Sequence, residues 1–302
     1  MSKKIILITG SSSGFGRLAA ESLARRSHIV YASMRGVDGK NAAKAEELRR
    51  IAKDENLALY PLELDVTDDR SVREALAAVV AREGRIDVVI NNAGIASFGL
   101  TEAYEVDEIK QIFETNVYGP ARVNRAALPY MREQGSGRLV HISSVLGRLV
   151  VPTTGVYAAS KFALEALAES LRYELAPLGI DSTVIEPGAY PTEIFGKVGA
   201  PRDSQRTESY GEAGQVGDKI VAGLEAAVTG PDAPDPREIS DTIVNAVEAD
   251  TVPVRTAIGA EAPPANLLNR AAEEAQSMLF TAFGLDDLAT SQRDDLARRD
   301  AA

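Results

Sequence analysis

Ile5-Ile6-Leu7-Ile8 is an unbroken apolar run. It ends directly in Thr9-Gly10-Ser11-Ser12-Ser13-Gly14-Phe15-Gly16, and a helix-forming stretch follows over 17–26. An apolar run, a glycine-rich turn and a helix, in that order, read as strand, phosphate loop and helix. Glycine lets the chain turn sharply and come close to a pyrophosphate, while free N–H groups and the dipole of the helix start hold negative charge. The spacing is Gly-x-x-x-Gly-x-Gly rather than Gly-x-Gly-x-x-Gly. Alone, the loop does not separate a phosphate cradle from a turn without a ligand, so the rest of the chain must decide.

The pattern repeats along the chain. Segments 5–8, 29–32, 58–62, 88–90, 139–142, 182–185 and 254–258 read as strands, separated by Ala- and charge-rich helical stretches such as 40–54, 71–82, 157–175 and 239–249. Strict alternation argues for α/β architecture, and near-continuous apolar strands argue for a sheet covered on both faces. The expectation is a single Rossmann-like domain over 1–259, a doubly wound parallel sheet with helices on both faces. A helical C-terminal extension over 260–302 follows, fraying from Ser291 onward. Residues 196–217 carry five glycines among polar residues and read as a long polar loop, taken as part of a mobile lid over 192–230. In the extension, Leu267, Leu268, Ala271, Ala275, Met278, Leu279 and Phe283 fall at helical spacing. That stripe is expected to pack on the core or on a neighbouring subunit.

Composition removes several function classes. There is no cysteine and there are only two histidines, His28 and His141. Disulfides, thiolate metal sites and cysteine nucleophiles are therefore excluded, and no metal site is expected. No apolar run approaches a membrane span. The run after Lys3-Lys4 stops at Thr9-Gly10, too short for a signal peptide, and a cytoplasmic protein is expected. The net charge is −11, with 14 acidic against 6 basic residues from Pro231 onward. That balance speaks against nucleic acid or an anionic membrane as partner.

Downstream of the loop lie Asn91-Asn92-Ala93-Gly94 after an apolar run, Asn116, Ser144, Tyr157-Ala158-Ala159-Ser160-Lys161 and Pro187-Gly188. In order and spacing this set resembles the short-chain dehydrogenase/reductase family, with Ser144 thirteen residues before Tyr157 and Lys161 four after it. The pattern is similar to its hydroxysteroid- and retinol-type members. The resemblance implies an oxidoreductase that interconverts a carbonyl and an alcohol by hydride transfer with a nicotinamide cofactor. It also implies a homodimer or homotetramer.

The residues fit that chemistry. Hydride transfer needs a proton delivered to oxygen, and Tyr157 is the candidate donor. Lys161 lies one helical turn on, where its ammonium is expected to favour phenolate and lower the Tyr157 pKa. Ser144 is suited to hold the substrate oxygen, and Ser143 competes for that role or satisfies local backbone groups. The resemblance gives Asn116 a place in a proton relay through Lys161. His141 reads as packing.

For the cofactor, the resemblance implicates Gly10, Ser12, Ser13, Gly14, Phe15 and Gly16 in the loop. It adds Asp65 and Val66 at the adenine, Asn92, Ala93 and Gly94 in the supporting wall, and Pro187, Gly188 and Thr192 at the carboxamide. Tyr157 and Lys161 bind at the nicotinamide end. The second strand ends in Met34-Arg35 where an NAD-selecting acid would stand. Arg35 suits a 2′-phosphate and favours NADP(H), while Asp38 keeps NAD open. Leu146, Leu149, Val150, Tyr190, Ile194 and Phe195 are candidates for a pocket that takes a predominantly apolar substrate. Two rivals stand beside a reductase: a non-catalytic NADP(H) sensor or scaffold, and an epimerase or dehydratase that retains NAD.

Overall fold

A computed structural model describes residues 3–193 and 198–285. Seven parallel strands form one sheet in the order β3-β2-β1-β4-β5-β6-β7. They are β1 (Ile5–Ile8), β2 (Ile29–Met34), β3 (Leu59–Glu63), β4 (Val88–Asn91), β5 (Gly137–Ile142), β6 (Ile180–Pro187) and β7 (Arg255–Ile258). The doubly wound Rossmann-like sheet expected from the alternation is present. Side chains alternate across each strand, so Ile6 and Ile8 join one core layer while Ile5 and Leu7 join the other.

Helices α1 (Gly14–Arg25), α2 (Ala42–Asp54) and α9 (Arg237–Glu248) cover the first layer. On the second lie α3 (Asp69–Glu83), α5 (Gly119–Gln134) and the end of α6 (Gly155–Leu175). Ahead of α5, α4 (Val106–Phe113) passes into a π-helical turn over Glu114–Tyr118. The strand order reverses between β1 and β4, which opens a crevice at their C-terminal ends. β1 matches the sequence reading, and the other element boundaries differ from it by at most three residues. Among the strands the largest gain is in β6, which runs from Ile180 to Pro187.

Two expectations are corrected. The stretch read as a long polar loop holds α7 (Ser204–Ser209), a 3-10 turn (Gly211–Gln215) and the start of α8 (Val216–Thr229). Its helices stay outside the two core layers: α7 is tied to Glu102 by Arg206, and α8 packs on Phe98 and Tyr157 through Val221 and Leu224. α7 buries no residue and α8 only Val228, so apolar periodicity is weak there.

The second correction concerns α10 (Ala262–Ala282), and only the first of the two packings expected for its stripe, that on this chain's core. Its apolar stripe faces away from this chain's core, with Leu267 62%, Met278 70% and Phe283 70% exposed. The buried positions are Ala262, Ala265, Asn269, Glu273 and Ser277. Periodicity identified the helix, but a buried carboxylate beneath it (Glu186, bonded by Asn269) selects the polar face. Among the described residues no helix is long and apolar enough to cross a membrane.

Candidate active site

The loop after β1 is held open by backbone geometry. Gly10 (φ 69) and Gly14 (φ 58) are left-handed, where a side chain strains the backbone. A Cβ on Gly10 would lie 2.8 Å from Ala93 Cα, so the two segments touch backbone to backbone. Thr9 fastens them. Its Oγ1 accepts the N–H groups of Asn92 and Ala93, each at 3.0 Å. The Asn92 amide donates back to the carbonyls of Thr9 (2.8 Å) and Gly10 (3.0 Å). Ser13 caps α1 with no side-chain bond, and the first turn holds no acidic residue. The helix start therefore offers its N–H groups to an anion.

This loop forms one side of a cavity of about 630 Å³. Ser12, Ser13, Gly14 and Phe15 line it, with Asp65, Val66, Asn92, Ala93, Gly94, Pro187, Gly188 and Thr192. Gly16 is not in the lining. It is buried against the Asn92 amide and lets α1 lie close to the loop, a packing role in place of the expected cofactor contact. Arg35 lines the far end, 3.8 Å from the Asp65 carboxylate. Lys40 and Asn41 stand beside it, whereas Asp38 is exposed and outside the lining. Glu63 accepts the N–H groups of Gly36 (2.9 Å) and Val37 (2.7 Å) and so fixes the turn that carries Arg35.

At the opposite end stand Ser144, Tyr157 and Lys161. β5 ends at Ile142, and the chain then passes through Ser143 and Ser144 into a 3-10 turn over Val145–Gly147. Ser144 Oγ caps this turn by accepting from Leu146 N at 3.1 Å. Tyr157 and Lys161 project from the same face of α6, and the Lys161 Nζ lies 5.8 Å from the Tyr157 ring centroid. It donates to the Ile142 carbonyl at 3.0 Å.

The expected lowering of the Tyr157 pKa is not found. Burial pushes the phenol up to about 12, with the Ser144 hydroxyl opposing. Burial likewise pushes Lys161 down to about 8, with the Glu165 carboxylate opposing. Desolvation outweighs the neighbouring cation in this cavity, because both groups are buried and Nζ is spent on a carbonyl.

Asn116 is buried behind the lining, in the π-helical turn. It accepts from Ile95 N (2.9 Å) and donates to Ile95 O (2.9 Å) and Ser160 Oγ (3.0 Å). Ser143 donates to Glu165 (2.7 Å) and not to the backbone. His141 is a packing residue, pushed down to about 4 by burial. Among the described residues no cluster suits a metal.

Around Tyr157 the lining is largely apolar. Leu146 lines it as expected, while Tyr190 reaches the lining but is almost wholly buried, its ring packed edge-to-face on Phe15 at 5.9 Å. Leu149 and Val150 are outside the lining, with Val150 68% exposed, because the 3-10 turn swings them outward. Ile194 and Phe195 lie outside the described residues. The lining also holds Phe98, whose ring meets Tyr157 edge-on at 5.8 Å, and Val151, Val198, Ile220 and Leu224.

A model of the family described as short chain dehydrogenase matches residues 4–203. The chain belongs to the short-chain dehydrogenases. These are oxidoreductases that act on CH–OH groups. This member is 32% identical over 259 residues to a 3-ketodihydrosphingosine reductase of Bacteroides thetaiotaomicron, covering 86% of this chain and 89% of that protein. A crystal structure of a short-chain dehydrogenase from Streptomyces avermitilis shares 34% identity and a TM-score of 0.72, covering 94% and 98% of the two chains. An actinorhodin polyketide ketoreductase solved with NADPH shares 27% identity and a TM-score of 0.70, covering 87% and 98%.

Sequence reasoning missed several residues of this short-chain dehydrogenase's site. Thr9 was adjacent to the loop and a hydroxyl among glycines was its only signal. Lys40 lies five residues past Arg35 with no motif. Glu261 lines the cavity and accepts from Ala189 N at 3.3 Å, yet nothing in its sequence context marks it.

Proposed function

We propose that this short-chain dehydrogenase interconverts a predominantly apolar ketone or aldehyde and its alcohol, with NADP(H) as hydride carrier. The observation that carries the reading is the polarity of one cavity. Arg35 and Lys40 stand at one end, and the Ser144 and Tyr157 hydroxyls among apolar side chains at the other. The glycine cradle, the uncapped start of α1 and the basic end fit a phosphorylated dinucleotide. When bound, the nicotinamide supplies or accepts the hydride.

The chain's own residues do the rest. Ser144 and Tyr157 hold the substrate oxygen. In reduction the Tyr157 O–H bond breaks as its proton passes to that oxygen, and in oxidation the proton returns. With its pKa pushed up to about 12, Tyr157 is the neutral acid at ordinary pH, which suits reduction. Lys161 replenishes the proton and binds beside Tyr157, with Asn116 holding the segment behind it. α8 closes over the apolar end through Ile220 and Leu224, so water is kept from the reacting carbon. The related 3-ketodihydrosphingosine reductase and the ketoreductase solved with NADPH support both the apolar substrate and the cofactor choice. We further propose a homodimer or homotetramer, to be read by light scattering.

The test is NADPH oxidation, against NADH, over aliphatic, aromatic, steroid and β-keto ester carbonyls. Turnover of an apolar class with NADPH is the expected result. NADPH binding with no turnover in either direction would instead favour a sensor.

A further inference from the structure

The Tyr157 end of the cavity is backed by buried charge. On α6, Glu165 lies one turn beyond Lys161 and Glu169 one turn further, both buried. Arg255 of β7 reaches both, with its Nε 3.0 Å from Glu165 Oε2 and its other arm on Glu169. The same Nε is 3.5 Å from Glu186 of β6, and Asn269 of α10 donates to Glu186 at 2.7 Å. One guanidinium thus faces three carboxylates. Burial, and then Glu165, push the Glu186 carboxyl up toward its neutral acid. Two carboxylates then remain for Arg255, and the other buried cation on this helix face is Lys161. Charge buried without a counter-charge costs several kcal/mol, which makes such a balance consequential.

Glu165 is also a mechanical link. Its Oε1 accepts from Ser143 Oγ at 2.7 Å, between the Ile142 carbonyl that holds Lys161 and the Ser144 hydroxyl. A Cβ on Gly147 would collide with the side chains of both Glu165 and Ser143. The turn carrying Ser144 therefore rests directly on this carboxylate.

We propose that Glu165 is a positioning residue of this site, the buried counter-charge of the Lys161 ammonium and the seat of the turn that carries Ser144. Its consequence for turnover rests on the function proposed above, whereas the electrostatic link is a property of the free chain. Lys161 faces Tyr157 and Glu165 from its own helix, the Ile142 carbonyl from β5, and Gly94 and the Asn116 amide. Behind Glu165 stand Glu169, Glu186 and Arg255. With Glu165 neutralised, burial acts on Lys161 unopposed and its proton leaves at lower pH.

The experiment is an NMR titration of isotope-labelled lysine Cε in the cofactor-free protein, with the Lys161 signal assigned by its absence in Lys161→Met. Glu165→Gln, which keeps an acceptor for Ser143, is expected to lower the Lys161 midpoint by about one pH unit. Ser143→Ala, which removes only the hydrogen bond, is expected to leave it in place. A Glu165→Gln titration that coincides with the unsubstituted protein overturns the proposal. Should that variant fail to fold, Glu165→Asp withdraws the carboxylate by one methylene. A smaller fall is then expected, and no fall overturns the proposal. Absence of carbonyl reduction would overturn the proposed function and leave this titration untouched.

Discussion

Asn92 grips Thr9 twice, as donor both times: its backbone N–H donates to Thr9 Oγ1 at 3.0 Å, and its side-chain amide donates to the Thr9 carbonyl at 2.8 Å. The pair fastens the end of β1 to the end of β4 across the switch point, where the cavity opens. Thr9→Val keeps the shape but takes the hydroxyl acceptor from the N–H of Ala93, while the Asn92 N–H keeps the Ile90 carbonyl at 3.1 Å. We expect a loss of about 1–3 kcal/mol in urea unfolding. NADPH affinity should fall with it, and stability unchanged within error would show that the clasp is redundant.

Tyr157→Phe removes one oxygen and keeps the ring against Phe98. Turnover should fall by at least about a hundredfold, the scale of a lost general acid. NADPH affinity, read by fluorescence titration, should stay nearly intact. Normal turnover in this variant is incompatible with the proposed proton donor.

Arg35 stands alongside Lys40 at the cofactor's far end, with Asp65 as its ion-pair partner at 3.8 Å. Arg35→Ala should raise the NADPH KM by roughly ten- to a hundredfold, the range of a lost charge-assisted hydrogen bond. The NADH KM should barely move. Equal losses for the two cofactors would remove the 2′-phosphate from the argument.

His141 gives the fold a pH dependence of known sign. Burial lowers its pKa from 6.5 to about 4, so between those values the unfolded chain binds more protons than the folded one. Stability is present above about 6.5 and falls as pH drops through this window, by about 3 kcal/mol at the lower end. Urea midpoints at neutral and acid pH measure the fall, and His141→Leu should flatten it. An identical slope in that variant would place the acid sensitivity elsewhere.

The sheet and the hydroxyl pair were legible in the chain because they depend on local spacing. Apolar runs bounded by glycine place strand ends, and Tyr157 and Lys161 share a helix face by their separation. Legibility failed where long-range contact decides. α10 displays a conspicuous apolar stripe, yet its polar side is drawn inward by Glu186, a residue 83 positions away from Asn269. The Tyr157 pKa moves up where the sequence predicts a fall, for the same reason. Burial, which no spacing reveals, exceeds the influence of the adjacent cation. Leu149 and Val150 were misplaced because a three-residue turn redirects the chain just before them.

The roof of the apolar end meets the rest of the fold lightly. It is joined by the bridge between Ser97 and Gly199, by surface ion pairs of Arg202 and Arg206 with Glu102, Glu105 and Glu108, and by Val221 and Leu224 against Phe98 and Tyr157, while α7 and α8 bury only Val228. The floor, by contrast, is built from strand ends and from glycines such as Gly10 and Gly188, where an added Cβ would collide with neighbouring atoms. Heritable change is therefore cheap above the substrate and costly below it. A lineage with this architecture can exchange what it recognises while the machinery that moves the hydride stays fixed.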